Sequence, residues 1–214
     1  MTKLETQSAA RRKLMSAARA APPCFARDGT RLPPAFFLTD PRRTSDPAAI
    51  ADRLPAGWGV VYRHYGEPDR FKIGKELAGV CQRRMLVLLV SADPYLARRI
   101  EAAGLHWPER WLNQSFFRKP GWIVSASAHS RSALARASAR QVDLVFRSAV
   151  FPGASPSAAA AMGGLLFRQA ARDAPLPVYA LGGVGPKNAA GVFARNGASA
   201  GGWAAIDSIV RAWG

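Results

Sequence analysis

The sequence predicts a single α/β domain, a (β/α)8 TIM barrel of parallel strands carrying an N-terminal extension, and three observations predict it. From Phe36 onward eight short apolar runs alternate with helix-forming stretches, and regular β-then-α alternation implies a parallel sheet. Eight strands and seven helical stretches fit into residues 35–214, a tight allotment that suits a closed barrel. Paired glycines suited to a phosphate turn come at the last strands, whereas an open doubly wound sheet carries its glycine-rich turn after the first.

Residues 1–34 read as an N-terminal arm, flexible or forming a short helix around Ala9–Ala20, broken by Ala21-Pro22-Pro23 and closed by Arg31-Leu32-Pro33-Pro34. The first strand, Phe36–Thr39, is stopped by the turn signal Asp40-Pro41. The others are expected at Gly59–Arg63, Met85–Ser91, Gly104–Trp107, Trp122–Ser127, Leu144–Phe146, Val178–Leu181 and Ala200–Trp203. Helices are expected at Asp46–Arg53, Gly74–Arg83, Pro94–Ala103, Ser130–Ala139, Ser157–Asp173, Lys187–Asn196 and Ala205–Ala212. Ser157 precedes an alanine-rich, strongly helix-forming run.

Composition narrows the function classes. At 214 residues and 49% hydrophobic, the chain can bury a full core. No run of eighteen apolar residues exists, so no membrane span is expected, and the Ala/Arg/Ser-rich start lacks the apolar core of a signal peptide. Cys24 and Cys81 have no metal-ligand spacing and read as free thiols of a reducing compartment, so a cytoplasmic location is expected. The net charge of +16 attracts anions. Its arginines are scattered, however, as Arg11, Arg12, Arg42, Arg43, Arg83, Arg84, Arg98 and Arg99 illustrate. Nucleic acid is therefore not expected as a partner. A homodimer is admitted by the sequence, and no membrane partner is expected.

The stretch that points to chemistry is Pro177–Val184, an apolar strand emptying into Gly182-Gly183, followed by Gly185-Pro186-Lys187-Asn188. A second pair, Gly201-Gly202, follows Asn196-Gly197-Ala198. Glycines let backbone approach a ligand, and amides that open a helix point N–H groups at an anion. Two such turns on the last strands make the recurrent phosphate site of a barrel. The expected ligand is a small phosphorylated molecule held by Gly182, Gly183, Gly201 and Gly202, the bland alternative being ordinary tight turns.

Between Phe36 and Val210 the chain carries, in order, Phe37-Leu38-Thr39-Asp40-Pro41, Tyr62-Arg63, Leu88-Leu89-Val90, Ala103-Gly104-Leu105-His106, Ser127-Ala128-His129-Ser130, Val150-Phe151-Pro152, Ala180-Leu181-Gly182-Gly183-Val184 and Asn188-Ala189. In these motifs, their order and their spacing it resembles the thiamine phosphate synthase and thiazole tautomerase superfamily. The resemblance implies a phosphorylated heterocycle as ligand. In a synthase it implies joining a pyrimidine diphosphate to a thiazole phosphate with Mg²⁺, chemistry that needs carboxylates and cations around the leaving group.

Departures from the synthase pattern concentrate on that apparatus. Where the family shows Gln-x-Arg-x-Lys this chain has Val61, Arg63 and Tyr65. Where the family shows Asn-Asp it has Ser91-Ala92, with Asp93 one position late. The second metal aspartate falls near Trp111, with Glu109 two positions before it, and Gly153-Ala154-Ser155-Pro156 offers no diphosphate lysine. The tautomerase branch needs no metal and no cofactor. It shifts a proton on a phosphorylated thiazole carboxylate with a histidine whose position matches His129, and imidazole both takes and returns protons near neutrality.

His129 follows the fifth strand, at the end where barrel enzymes keep their chemistry; its alternative is a cap or loop histidine. Arg63 can grip phosphate or carboxylate bidentately or serve as a solvated rim residue. Ser127 points inward as a ligand contact or as barrel filling. Asp40, Asp93 and Glu109 are expected on the half of the barrel opposite His129. The sequence thus predicts a diverged or tautomerase-type member, catalytic His129, substrate-binding Arg63, Ser127 and the four glycines, and no resident metal. The alternatives are a true synthase, for which alone Mg²⁺ is implied, and a non-catalytic phosphate-ligand sensor.

Overall fold

A computed structural model describes residues 2–113, 118–153, 161–193 and 200–214. Its strands are β1 (Ala35–Leu38), β2 (Gly59–Tyr62), β3 (Val87–Ser91), β4 (Gly104–Trp107), β5 (Ile123–Ala128), β6 (Leu144–Arg147), β7 (Val178–Ala180) and β8 (Gly202–Ala205). The helices are α1 (Lys3–Arg19), α2 (Pro47–Ala51), α3 (Arg70–Arg83), α4 (Pro94–Arg99), α5 (Arg131–Ala139), α6 (Gly163–Arg172) and α7 (Asp207–Trp213). The strands pair in sequence order, all parallel, and β8 returns to β1 to close the barrel. The predicted fold class is the observed one.

Strand alternation sorts the apolar residues onto two sides. Phe36, Leu38, Val61, Leu89, Ile123, Leu144, Phe146, Tyr179 and Ala204 fill the interior, while Phe37, Val60, Tyr62, Val90, Leu105 and Val145 face the helices. The rings of Phe36, Phe146 and Tyr179 meet edge to face, with centroids 5.1, 5.5 and 5.9 Å apart, the arrangement that aromatic quadrupoles favour.

The stretch before β1 differs from a loose arm. α1 runs from Lys3 to Arg19 behind a Thr2–Glu5 capping box, which satisfies two of the amides that a helix start leaves open. Leu14, Ala17 and Ala18 are buried, and α1 reaches α7 through Gln7 Nε2 to Arg211 O (3.2 Å) and Arg11 Nε to Ala212 O (2.5 Å). Residues 24–32 double back in a ribbon, bridged at Phe25 and Arg31, that sets Ala26 and Leu32 against the interior cluster. Tyr179 Oη donates to Pro33 O at 2.8 Å, so the N-terminal end of the barrel is stoppered. A cavity of about 640 Å³, lined by Met15, Arg19, Leu32, Pro55, Trp58 and Val87 among others, lies at that end.

Two element boundaries moved in ways that matter for the site. The eighth strand is Gly202–Ala205, two residues later than the expected Ala200–Trp203. The helix expected from Lys187 is a turn at Lys187 and a 3₁₀ segment at Ala189–Val192; Asn196, its expected end, lies outside the described residues. Ser157 and Pro156 also lie outside them, and α6 is described from Gly163.

Candidate active site at the C-terminal mouth of the barrel

Parallel closure brings the loops after all eight strands to one end, with neighbours in sequence as neighbours in space. β2 delivers Arg63 one residue past its end, on the interior register of Val61. Arg63 Nε donates to Thr39 O at 3.0 Å, its backbone N–H donates to Thr39 Oγ1 at 3.0 Å, and its guanidinium lies 3.5 Å from Asp40. Burial lowers its pKa from the ordinary arginine value, although a guanidinium that starts near 12.5 remains a cation at neutral pH. Asp40 also pairs with Arg43 at 2.8 Å. Burial raises the Asp40 pKa, but the Arg43 hydrogen bond and charge outweigh it, so the carboxyl sits below the usual range. Arg43 reaches Asp207, at the start of α7, at 3.4 Å.

Tyr65 fills the place where the synthase pattern has a lysine. Its hydroxyl hydrogen-bonds Ser91 Oγ, and the Arg70 and Arg110 guanidiniums lie 5.7 and 5.9 Å from its ring centroid. Arg70 donates to Asp93 Oδ2 at 2.9 Å and to Ser91 O at 2.8 Å, while Asp93 Oδ1 accepts from Leu96 N at 2.8 Å as the cap of α4. Both Asp93 oxygens are therefore engaged. The Mg²⁺ that the resemblance attaches to a synthase finds no fit in these residues. Ser91 and Ala92 offer no carboxylate, Asp93 is spent on a guanidinium and a helix cap, and among the described residues no three His, Cys, Asp or Glu side chains gather.

His106 stands inside the barrel between two serines. Its Nδ1 lies 3.0 Å from Ser125 Oγ and its Nε2 3.0 Å from Ser127 Oγ. Burial pushes its pKa down to about 3, so it is neutral across the physiological range. Ser127, expected as a ligand contact or as filling, spends its hydroxyl on this histidine and is half-buried.

His129 follows β5 on the register of Ser125 and Ser127. Its side chain is 57% exposed, and Nδ1 lies 2.6 Å from Glu109 Oε2. The same oxygen accepts the His129 backbone N–H at 2.6 Å, and Glu109 Oε1 pairs with Arg136 of α5 at 3.3 Å. This corrects the expectation that Glu109 lies across the barrel. β4 pairs directly with β5, so the loop after one borders the end of the other.

The glycine pairs part company. Gly182 and Gly183 follow β7 with φ of +85° and +65°, the left-handed region that glycine enters without a Cβ penalty. A Cβ on Gly183 would come within 2.3 Å of Pro152 O, so the turn is pressed against the loop after β6. Asn188 braces it, with Nδ2 donating to Gly183 O at 2.9 Å and Oδ1 accepting from Gly185 N at 2.8 Å. Among the described residues neither the Gly182 nor the Gly183 N–H meets an acceptor.

Gly201 and Gly202 open β8 instead of following it. Gly201 N donates to Val178 O at 2.9 Å, Gly202 pairs with Tyr179, and the pair lies roughly 13 Å along the strand direction from the Gly182 turn, at about 3.3 Å per residue. They belong to the packed end of the barrel, where a side chain would strike the Tyr179 ring and Pro34 O. Their role as mouth phosphate ligands is ruled out by that register.

Sequence reasoning gave Arg63, Ser127, His129 and the Gly182 turn a place at the mouth. It missed Glu109 as the partner of His129, the bond from Tyr65 to Ser91, and Asn188 as the brace. The signal for Glu109 was available in the strand order; Tyr65 was placed only as the residue standing where the family has a lysine.

A profile of the family described as Thiamine monophosphate synthase matches residues 35–209. The thiamine-phosphate synthase of Bacillus velezensis is 26% identical over 170 residues, covering 74% of this chain and 76% of that one. The thiamine biosynthesis bifunctional protein ThiED of Geobacter sulfurreducens is 30% identical over 139 residues, 63% of this chain but 28% of that protein. The putative thiamine-phosphate synthase 2 of Aquifex aeolicus is 29% identical over 118 residues, 54% of this chain and 63% of that one, so the chain spans less than two thirds of the length of either of these two relatives. Among solved structures, the thiamine phosphate pyrophosphorylase of Pyrococcus furiosus superposes with a TM-score of 0.64 at 21% identity, covering 83% of this chain and 90% of that one. FabK of Thermotoga maritima, 16% identical, gives 0.60, so likeness at this level speaks for the barrel and not for an activity.

Proposed function

The chain belongs to the thiamine monophosphate synthase family, and on that premise we propose that it is a tautomerase-type member, binding a phosphorylated thiazole carboxylate at the mouth and shifting a proton on its ring through His129. The observation that carries this reading is the His129–Glu109 contact at 2.6 Å, which holds an exposed imidazole against a carboxylate at the end where barrels keep their chemistry. The imidazole lone pair takes a proton from the ring, the electrons of the broken bond enter the ring π system, and the imidazolium returns the proton at a second ring position. Proton count and charge balance without an oxidant, a metal or a cofactor.

The turn at Gly182-Gly183 supports a phosphate subsite, since two amides face no protein acceptor among the described residues and backbone N–H groups suit an anion. Arg63, at the β2 side, is assigned to the carboxylate or another anionic group of the ligand. Ser127 acts behind the site, through His106. Full synthase chemistry is the second reading, favoured by the names of the relatives and disfavoured by the engagement of Asp93 with Arg70 and of Glu109 with Arg136 and His129.

The test is to follow tautomer conversion of the phosphorylated thiazole carboxylate by proton NMR with wild-type protein and His129→Ala. The variant is expected to lose on the order of 10²-fold or more in turnover, the usual worth of general acid–base catalysis, with affinity nearly unchanged. Normal turnover by His129→Ala, or none by wild type, overturns the reading.

A further inference from the structure

We propose that Glu109 is the positioning residue of His129, fixing the imidazole as its Nδ1–H tautomer so that Nε2 is the nitrogen that exchanges protons with the ligand. The proposal rests on the reading of His129 as the proton-transfer group, and it adds which atom reacts and what selects it.

The geometry leaves one consistent assignment of protons. Glu109 Oε2 lies 2.6 Å from His129 Nδ1 and 2.6 Å from the His129 backbone nitrogen. The backbone N–H can only donate. A carboxylate oxygen can only accept, so Nδ1 must also bring a hydrogen; a bare Nδ1 lone pair facing that oxygen would be repelled. Two donors from one residue meet one oxygen, the backbone N–H holding the loop and the Nδ1–H holding the ring. Which imidazole nitrogen reacts is set by the hydrogen bond that the other makes.

Glu109 itself is well placed to serve as a fixed post. It follows Pro108 and opens a 3₁₀ turn, closed by Leu112 N donating to Glu109 O at 3.0 Å. Its other oxygen is drawn toward the Arg136 guanidinium of α5 at 3.3 Å, and α5 is anchored where Ser130 Oγ accepts from Ala133 N at 3.0 Å. Glu109 is also the least exposed of the three, at 24% against 57% for His129 and 39% for Arg136. The carboxylate is thus pinned from two elements, while the imidazole keeps its outer edge open. Among the described residues His129 Nε2 has no hydrogen-bond partner.

The consequence for proton transfer follows directly. With Nδ1–H spent on Glu109, the Nε2 lone pair accepts the proton from the ligand. The resulting imidazolium is stabilised by the carboxylate beside Nδ1 until Nε2 gives the proton back, and Glu109 takes no proton at any stage.

The experiment is ¹⁵N NMR of protein labelled at histidine, with His129 assigned by subtracting the spectrum of His129→Gln, recorded where the ring is neutral. Wild type is expected to show the Nδ1–H form. Glu109→Ala should shift His129 toward Nε2–H, the form free histidine side chains favour, and Glu109→Gln, whose amide oxygen can still accept, should retain Nδ1–H. In turnover, Glu109→Ala should lower kcat by about tenfold or more with KM within about twofold, and Glu109→Gln should lose less. A wild-type Nε2–H ring, or a ring indifferent to Glu109→Ala, overturns the proposal; the wild-type and Glu109→Gln spectra decide it even if Glu109→Ala fails to fold. Because the tautomer is read without ligand, a protein that turns over no thiazole but shows these spectra refutes the function proposed above and leaves the Glu109 assignment standing.

Discussion

Gly202 of β8 lies beside Tyr179 of β7 in the barrel pairing, and a Cβ on Gly202 would stand 2.4 Å from the tyrosine ring. A small residue is required there because a large one fills the interior next to it. Gly202→Ala should therefore destabilise the fold by about 1–3 kcal/mol, the usual cost of overpacking, as read from the urea midpoint. Ligand affinity of the folded fraction should not change. A loss of affinity without a loss of stability would return Gly202 to the mouth.

Asn188 gives the cleaner probe of the Gly182-Gly183 turn. Any side chain at Gly183 meets both a positive φ and the Pro152 carbonyl, so substitution there disturbs the backbone as well as the ligand. Asn188→Ala removes only the brace at Gly183 O and Gly185 N. Calorimetry with the phosphorylated thiazole should show affinity lowered by roughly tenfold, with stability down by about 1 kcal/mol. Unchanged affinity takes the turn out of the proposed site.

Given pyrimidine diphosphate, thiazole phosphate and Mg²⁺, the protein should form thiamine phosphate at no more than a trace rate, measured by chromatography of the product. Ala92 has no ligand atom to offer, Tyr65 brings no lysine ammonium, and Asp93 is already bound to Arg70. Asp93→Asn should change no activity, since the amide can still cap α4. Product formed at ordinary enzyme rates, and lost in Asp93→Asn, would falsify the metal-free reading.

His106 makes stability depend on pH in a stated direction. The unfolded side chain takes a proton near 6.5, the folded one only near a pKa of about 3. Between those values the unfolded state binds more protons, so the contribution of His106 is complete above about pH 6.5 and is lost as pH falls toward 3. The slope is at most about 1.4 kcal/mol per pH unit. Urea midpoints from pH 4 to 7 should fall with acid in wild type and fall less steeply in His106→Asn.

The barrel was legible because each β-then-α unit carries its own apolar run and stop signal, from Phe36-Phe37-Leu38 before Asp40-Pro41 to Val178-Tyr179-Ala180 before Gly182-Gly183. The eighth strand slipped by two residues because Ala200–Ile206 is apolar or glycine throughout, with no polar break before Asp207. The expected Ala200–Trp203 already held Gly201 and Gly202 within the strand, and the observed start at Gly202 puts them at its N-terminal end, away from the mouth. The burial of α1 was written in Leu14, Ala17 and Ala18, at the spacing of one helix face, but the arginines around them masked it. Glu109 was misplaced for a different reason. Eight strands paired in order bring the loop after the fourth against the end of the fifth, and separation along the chain was read in place of adjacency around the ring. The partner of Tyr65, Ser91, could not have been read, since it depends on how far one side chain leans across the mouth.

The bond from Tyr179 to Pro33 joins residues 146 positions apart in the chain, and α1 meets α7 across 204 and 201 positions. Contacts of such separation carry the largest loop-closure entropy and form late. During synthesis the stopper and the apolar stripe of α1 are made well before the strand and helix that cover them, so they must wait, uncovered, while the strands of the barrel assemble. Amide exchange should then find residues 24–33 among the last to gain protection on refolding. The segment built first is the one that closes the molecule.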